Sequence, residues 1–203
     1  MNTNTYGMPA AAAILLAVLF PWYWGSGFLE TSDFVQQYRN DLLSLNAKDI
    51  LFVVIGALEI YLYLSLRRAL ANTVSFSTAR MALLLMAVTV GIFHATVIID
   101  VFFVYYGANL GAEVIDHALA LSAFVGLAIL FIYAVFAFTF GVSVLRRGND
   151  AATLLKVFAV LLIATALFQV SVIFSVFNVL LFPVAVVLLA FYFLRNPEVV
   201  EVV

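Results

Sequence analysis

The stretch from Arg80 to Tyr106, RMALLLMAVTVGIFHATVIIDVFFVYY, is apolar for long enough to cross a bilayer, yet it carries His94 and Asp100. A bilayer's hydrocarbon core is about 30 Å thick, so a spanning helix needs about 20 apolar residues at about 1.5 Å each. In lipid such a stretch can bond its N–H and C=O groups only within itself, which makes it helical. Five further stretches meet the same description. The sequence therefore predicts six spans, at 8–24, 50–66, 81–105, 114–144, 153–174 and 176–194. The first two are short, and the fourth is long enough to tilt or to project beyond the hydrocarbon. Only Ser175 and Asn178 interrupt the apolar run across the fifth and sixth, so their connection must be tight. The expected fold is an all-α integral membrane protein, a six-transmembrane-helix bundle forming one domain over residues 1–203.

Composition supports this class. The chain is 67% hydrophobic and 10% charged, with a mean hydropathy of +1.19. A soluble domain is roughly 45–50% apolar and about 25% charged, and a core of this size could not hide the excess. The net charge of −2 gives no basic surplus for nucleic acid. The absence of Cys excludes disulfides, thiolate metal sites and a Cys nucleophile. The N-terminal MNTNTYGMPAAAAILL has no Lys or Arg before its apolar run, and no A-x-A site follows it. It reads as a retained helix rather than a cleaved signal.

The basic residues predict an orientation. Arg67, Arg68 and Arg80 lie between spans two and three, Arg146, Arg147 and Lys156 flank the gap between four and five, and Arg195 follows six. Every basic residue except Arg39 and Lys48 is on that side, which should face the cytoplasm, with both termini inside and the chain in the plasma (inner) membrane. The other side carries Glu30, Asp33, Asp41, Asp49, Glu113 and Asp116, a net acidic face that mildly attracts cations. The segment 25–49 is the one sizeable loop. Phe34, Tyr38, Leu42 and Leu45 recur there at helical spacing, which predicts an amphipathic helix on the outer surface, with a lid over an outer pocket as the functional alternative. Trp22, Tyr23 and Trp24 just before it suit the aromatic belt.

The chain also reads as internally repeated. Phe93–Phe102, FHATVIIDVF, aligns without gaps on Phe168–Phe177, FQVSVIFSVF, with Thr96 opposite Ser171. Leu51-Phe52 and Leu66-Arg67-Arg68 correspond to Leu130-Phe131 and Leu145-Arg146-Arg147 at equal spacing. Spans two and three would then be a helix pair duplicated as spans four and five, an arrangement of parallel repeats about the membrane normal. His94 pairs with Gln169, Asp100 with Ser175, and Glu59 with Phe138, so the ionisable groups fall in the first copy.

Three polar residues carry most of the functional signal. Glu59 sits near the middle of span two, where an ionised carboxylate costs on the order of 3 kcal/mol. It should be protonated, paired or facing a wet cavity. His94 lies roughly 21 Å from Arg80 along the helix, somewhat outside the midplane. Asp100 is about 240° further round, so it does not share the His94 face and belongs near the outer boundary. Glu113, Asp116 and His117 open span four at an outer mouth. The expected transport path or polar core is Glu59, His94, Asp100 and Gln169.

His94 and His117 are the two histidines and the weak candidates for a metal or an axially held haem, but no H-x-x-H or H-E-x-x-H spacing supports either, and no cofactor is indicated. No nucleophile stands at a plausible spacing from a base, and there is no phosphate loop. Ala13 and Ala17 form a small-xxx-small pair suited to close helix packing, within the chain, in a homo-oligomer or on a partner membrane subunit. Six helices in 203 residues, both ends inside and an alanine-rich first helix resemble the substrate-binding subunits of energy-coupling-factor vitamin transporters. That resemblance is one of size and topology and implies no binding residue. Two function classes follow. The first is a small transporter, channel or permease subunit for a proton, cation or small solute, with Glu59 as the titrating group. The second is a non-catalytic accessory subunit of a larger complex, favoured by the low charge and short loops.

Overall fold

Every apolar stretch singled out above is helical in the computed structural model, which describes residues 6–29, 43–71, 76–148, 151–171 and 173–195. The helices are α1 (Gly7–Leu29), α2 (Ala47–Ala69), α3 (Ser77–His94), α4 (Val97–Tyr106), α5 (Ala112–Leu145), α6 (Thr153–Val170) and α7 (Asn178–Leu194). Short 3₁₀ turns at Gly107–Asn109 and Ile173–Phe177 join α4 to α5 and lead into α7. There is no strand among the described residues. Six spans are long and apolar enough to cross a membrane, with α3 and α4 together making the third, Ser77–Tyr106. The chain is a multi-pass, all-α membrane protein.

Each end of α2 shows why it starts and stops where it does. The Asn46 side chain accepts from the Lys48 N–H at 2.7 Å, and the Asp49 carboxylate accepts from the Asn46 N–H at 2.6 Å. These reciprocal bonds satisfy donors that the first turn leaves open. Arg67 and Arg68 occupy the last turn, where the helix dipole favours cations.

The third span is not continuous. The Phe93 carbonyl takes both the N–H of Thr96, at 3.2 Å, and its hydroxyl, at 2.6 Å. A side chain that competes for a backbone carbonyl in this way loosens the helical ladder. The helix breaks at Ala95–Thr96 and resumes as α4. A matching event ends α6, where the Ser171 hydroxyl donates to the Phe168 carbonyl at 2.8 Å. That turn and the 3₁₀ segment after it form the tight connection expected between the fifth and sixth spans.

The spans form a closed ring in chain order. α1 packs on α2, α2 on α3, α3 on α5, α5 on α6, α6 on α7, and α7 back on α1. Tyr6 at the start of α1 stacks on Phe193 at the end of α7, and Tyr23 near the end of α1 stacks on Phe52 near the start of α2. Consecutive spans therefore alternate in direction, and Arg67, Arg68, Arg80, Arg146, Arg147, Lys156 and Arg195 gather at one end of the ring, here the basic end. One apolar core runs through the spans, from Leu16 and Ile55 to Leu83, Phe140, Phe158 and Phe193. Ala13 is fully buried in it and Ala17 packs against it, so this small-residue pair is used within the chain.

The third and fourth spans have 30 and 34 residues against 18–23 for the others. At about 1.5 Å per residue they outreach an approximately 30 Å hydrocarbon layer. Their surplus projects as a helical hairpin at the end opposite the basic one. A small separate core holds it together, Phe103 and Ile115 with Ile99, Leu110, Ala118 and Leu119 around them. Residues 30–42, which include Phe34, Tyr38 and Leu42 of the expected interfacial helix, lie outside the described residues. Leu43 approaches Gly107 at the hairpin tip.

Candidate functional site

A cavity of about 250 Å³ lies inside the ring, and all six spans line it. Phe20 and Trp24 come from α1, Glu59 from α2, Thr89, Phe93 and His94 from α3, Ile129 and Tyr133 from α5, Thr165 and Gln169 from α6, and Asn178 and Phe182 from α7. Its contributors are the late residues of α1, α3 and α6 and the early ones of α7, so it occupies the half away from the basic end and reaches Glu59 near the middle of α2. Among the described residues the buried polar side chains are Glu59, Ser65, Thr89, His94, Thr165 and Asn178. All of these except Ser65 line the cavity. Buried polar groups in a membrane are expensive, and here they converge instead of scattering.

Glu59 is 6% exposed. It is hydrogen-bonded to Tyr63, one helical turn on. The Tyr63 and Tyr133 hydroxyls are 2.6 Å apart, so a polar chain runs from the carboxyl across to α5. His94 is 9% exposed. Its Nδ1 lies 2.9 Å from the Val90 carbonyl oxygen. A carbonyl only accepts, so Nδ1 carries the proton, and in the neutral ring Nε2 is an acceptor. That Nε2 is buried with no partner. Phe52 packs on one side of the imidazole at 4.2 Å between ring centres. Gly56 lies against it so closely that a Cβ there would overlap the ring.

Asn178 is held as firmly. Its Nδ2 donates to the Thr165 carbonyl at 3.1 Å and to Gln169 Oε1 at 3.2 Å. Both partners are acceptors, which fixes the amide orientation and leaves Oδ1 buried without a donor. The Thr89 and Thr165 hydroxyls donate to the Leu85 and Leu161 carbonyls of their own helices. Aromatic rings also line the cavity, with Trp24 stacked on Phe93 at 6.4 Å and Phe20 against Phe182 at 4.6 Å.

Of the residues singled out from sequence, the cavity brings together Glu59, His94 and Gln169, and also Ser175. It does not include Asp100, which sits on α4, nor Glu113, Asp116 and His117, which are exposed on the first turns of α5. The His117 Nδ1 bonds the Glu113 carbonyl at 2.7 Å. No group of three or more His, Asp or Glu side chains able to hold a metal occurs among the described residues. Sequence reasoning gave no weight to Thr89, Thr165, Tyr133 or Asn178 as lining groups. The available signal was one turn-spaced polar pair per helix, Glu59 with Tyr63 and Thr165 with Gln169, at similar depths.

Fold and site together define a six-span membrane protein with a partly open, mostly apolar cavity inside the ring that carries a few buried polar groups. No protein-family model, curated protein or solved structure matches the chain.

Proposed function

We propose that this protein is a small transporter or permease subunit that binds a proton, cation or small solute in the central cavity and passes it across the membrane. The observation that carries this reading is the convergence of Glu59, His94, Thr89, Thr165 and Asn178, from four different spans, on one cavity in an otherwise apolar ring. Helices that only needed to pack would gain nothing from five buried polar groups around a void. Glu59, the one carboxyl among the described lining residues, is the group that accompanies the solute or exchanges a proton with it. In proteoliposomes, Glu59→Gln should lower flux at least about tenfold while leaving insertion and thermal stability near wild type. Unchanged flux in a well-folded variant would sink the reading.

The charge bias supports placing the basic end and both termini in the cytoplasm, with the hairpin outside and the cavity toward the outer half of the plasma (inner) membrane. The duplication of spans two and three as four and five also belongs to this proposal. It draws support from the matched hydroxyl-to-carbonyl bonds of Thr96 and Ser171 at aligned positions, and from His94 and Gln169 both lining the cavity.

A second reading, an accessory subunit of a larger complex, has one observation in its favour. Only 6% of the most apolar window of α5 is buried within the chain, against 22–39% for the other spans. Leu121, Phe124, Ile132 and Val135 face outward from it. In that case the wild-type chain alone would give no flux in proteoliposomes and would travel with its partner through purification.

A further inference from the structure

We propose that the central cavity is built for a compact organic ammonium ion, a positively charged amine with a small apolar or aromatic body; this rests on the reading of the cavity as a solute site. Much of the donor capacity of the lining is already spent. His94 spends its Nδ1 proton on Val90, Asn178 both amide hydrogens on Thr165 and Gln169, and Thr89 and Thr165 their hydroxyl hydrogens on their own helices. The Trp24 indole and the Gln169 amide keep N–H groups, but the lining atoms buried without any partner are both acceptors, His94 Nε2 and Asn178 Oδ1. Pro183 has no N–H, so the carbonyl of Val179, a lining residue, lacks its usual helical donor.

A buried acceptor left empty is costly, and a ligand that brings several N–H groups removes that cost. An ammonium has donors only. Charge agrees with this. Among the described residues the lining includes the Glu59 carboxyl and no Lys or Arg. With Glu59 ionised, Tyr63 donates to it and Tyr133 to Tyr63, so both phenols support the counter-charge. An anion would meet the Glu59 carboxyl and the two unpartnered acceptors, with no Lys or Arg in the described lining. The Trp24, Phe93, Phe20 and Phe182 rings supply faces for a cation and for an apolar body. The volume, about 250 Å³, suits a molecule the size of a one-ring amine.

The test uses the full chain in lipid nanodiscs and three probes of the same shape: benzylammonium, benzyl alcohol and benzoate. Trp24 lines the cavity, and the other tryptophan, Trp22, is exposed and can be replaced by Phe to leave a single reporter. Benzylammonium should give a saturable fluorescence change, absent from empty nanodiscs, at concentrations where benzoate gives none and benzyl alcohol binds at least about tenfold more weakly. Glu59→Gln and Asn178→Leu should each weaken the benzylammonium response by about tenfold or more. Equal or tighter binding of benzoate or benzyl alcohol would overturn the proposal, as would no saturable response to benzylammonium in the wild-type protein. If Asn178→Leu fails to fold, the ranking of the three probes on wild type still decides. Binding is read without flux, so the two proposals fail separately. Bound ammonium with no flux in proteoliposomes removes transport and keeps the ligand class, and flux of a neutral or anionic solute without ammonium binding does the reverse.

Discussion

At the scale of single residues, the site depends on a side chain that is absent. Gly56 on α2 leaves the room that the His94 imidazole of α3 occupies. Gly56→Ala should therefore displace the ring, cost about 1–3 kcal/mol of stability through overpacking, and disturb solute binding. Thermal melts of Gly56→Ala, His94→Ala and the double variant give the check. The double variant should be more stable than the sum of the single losses, since removing the ring removes the overlap, and strictly additive losses would show that the two residues do not meet. Glu59 and His94 were conspicuous in the sequence because ionisable groups within apolar helices are rare. Their sharing a cavity was not legible, because side chains on different helices meet only through packing. Asn178 looked like part of a turn, and its amide is instead a fixed bracket between α6 and α7.

At the scale of elements, span positions followed directly from hydropathy and their interruptions did not. The third span reads as one apolar run, yet Thr96 diverts the Phe93 carbonyl and splits it into α3 and α4. Thr is common in membrane helices, and whether its hydroxyl bends or breaks the ladder depends on local geometry. The break separates His94, on the cavity wall, from Asp100 on the projecting hairpin. Helix pairing also has a weak point that sequence does not announce. A Cβ at Gly141 on α5 would stand 2.8 Å from the Ala159 carbonyl oxygen of α6, so the two backbones meet there directly. Small residues permit such approaches in membranes. Gly141→Leu should separate α5 from α6 and lower stability by about 2 kcal/mol or more, measured as loss of the monodisperse folded fraction in detergent on heating. A melting curve identical to wild type would mean the crossing can open without cost.

At the scale of the whole molecule, the ring and its polarity are the main result. Six spans in chain order close on themselves, and the closure creates the axial cavity. The chain has no Cys, so single cysteines report its orientation cleanly. Glu113 in the first turn of α5 and Arg147 just past its other end are both exposed. In intact cells Glu113→Cys should react with a membrane-impermeant maleimide, and Arg147→Cys should react only after permeabilisation. The reverse pattern would invert the proposed topology and with it the side on which the cavity lies. The surplus length of spans three and four, seen in sequence only as a long fourth span, becomes a hairpin joined by a small apolar cluster around Phe103 and Ile115.

By itself the sequence determined the membrane class, the six spans, the segregation of basic residues at one end and the presence of a few costly polar groups. Each of these follows from local composition, since a bilayer demands about 20 apolar residues and internally bonded backbone wherever the chain crosses it. Only the tertiary structure decided which of those polar groups belong together. It joined Glu59, His94 and Gln169 with Thr89, Thr165 and Asn178 around one cavity, and it left Asp100, Glu113, Asp116 and His117 on the hairpin. The physical reason is that depth along a helix is written in the chain, whereas the direction a helix face takes is set by the neighbours it packs against.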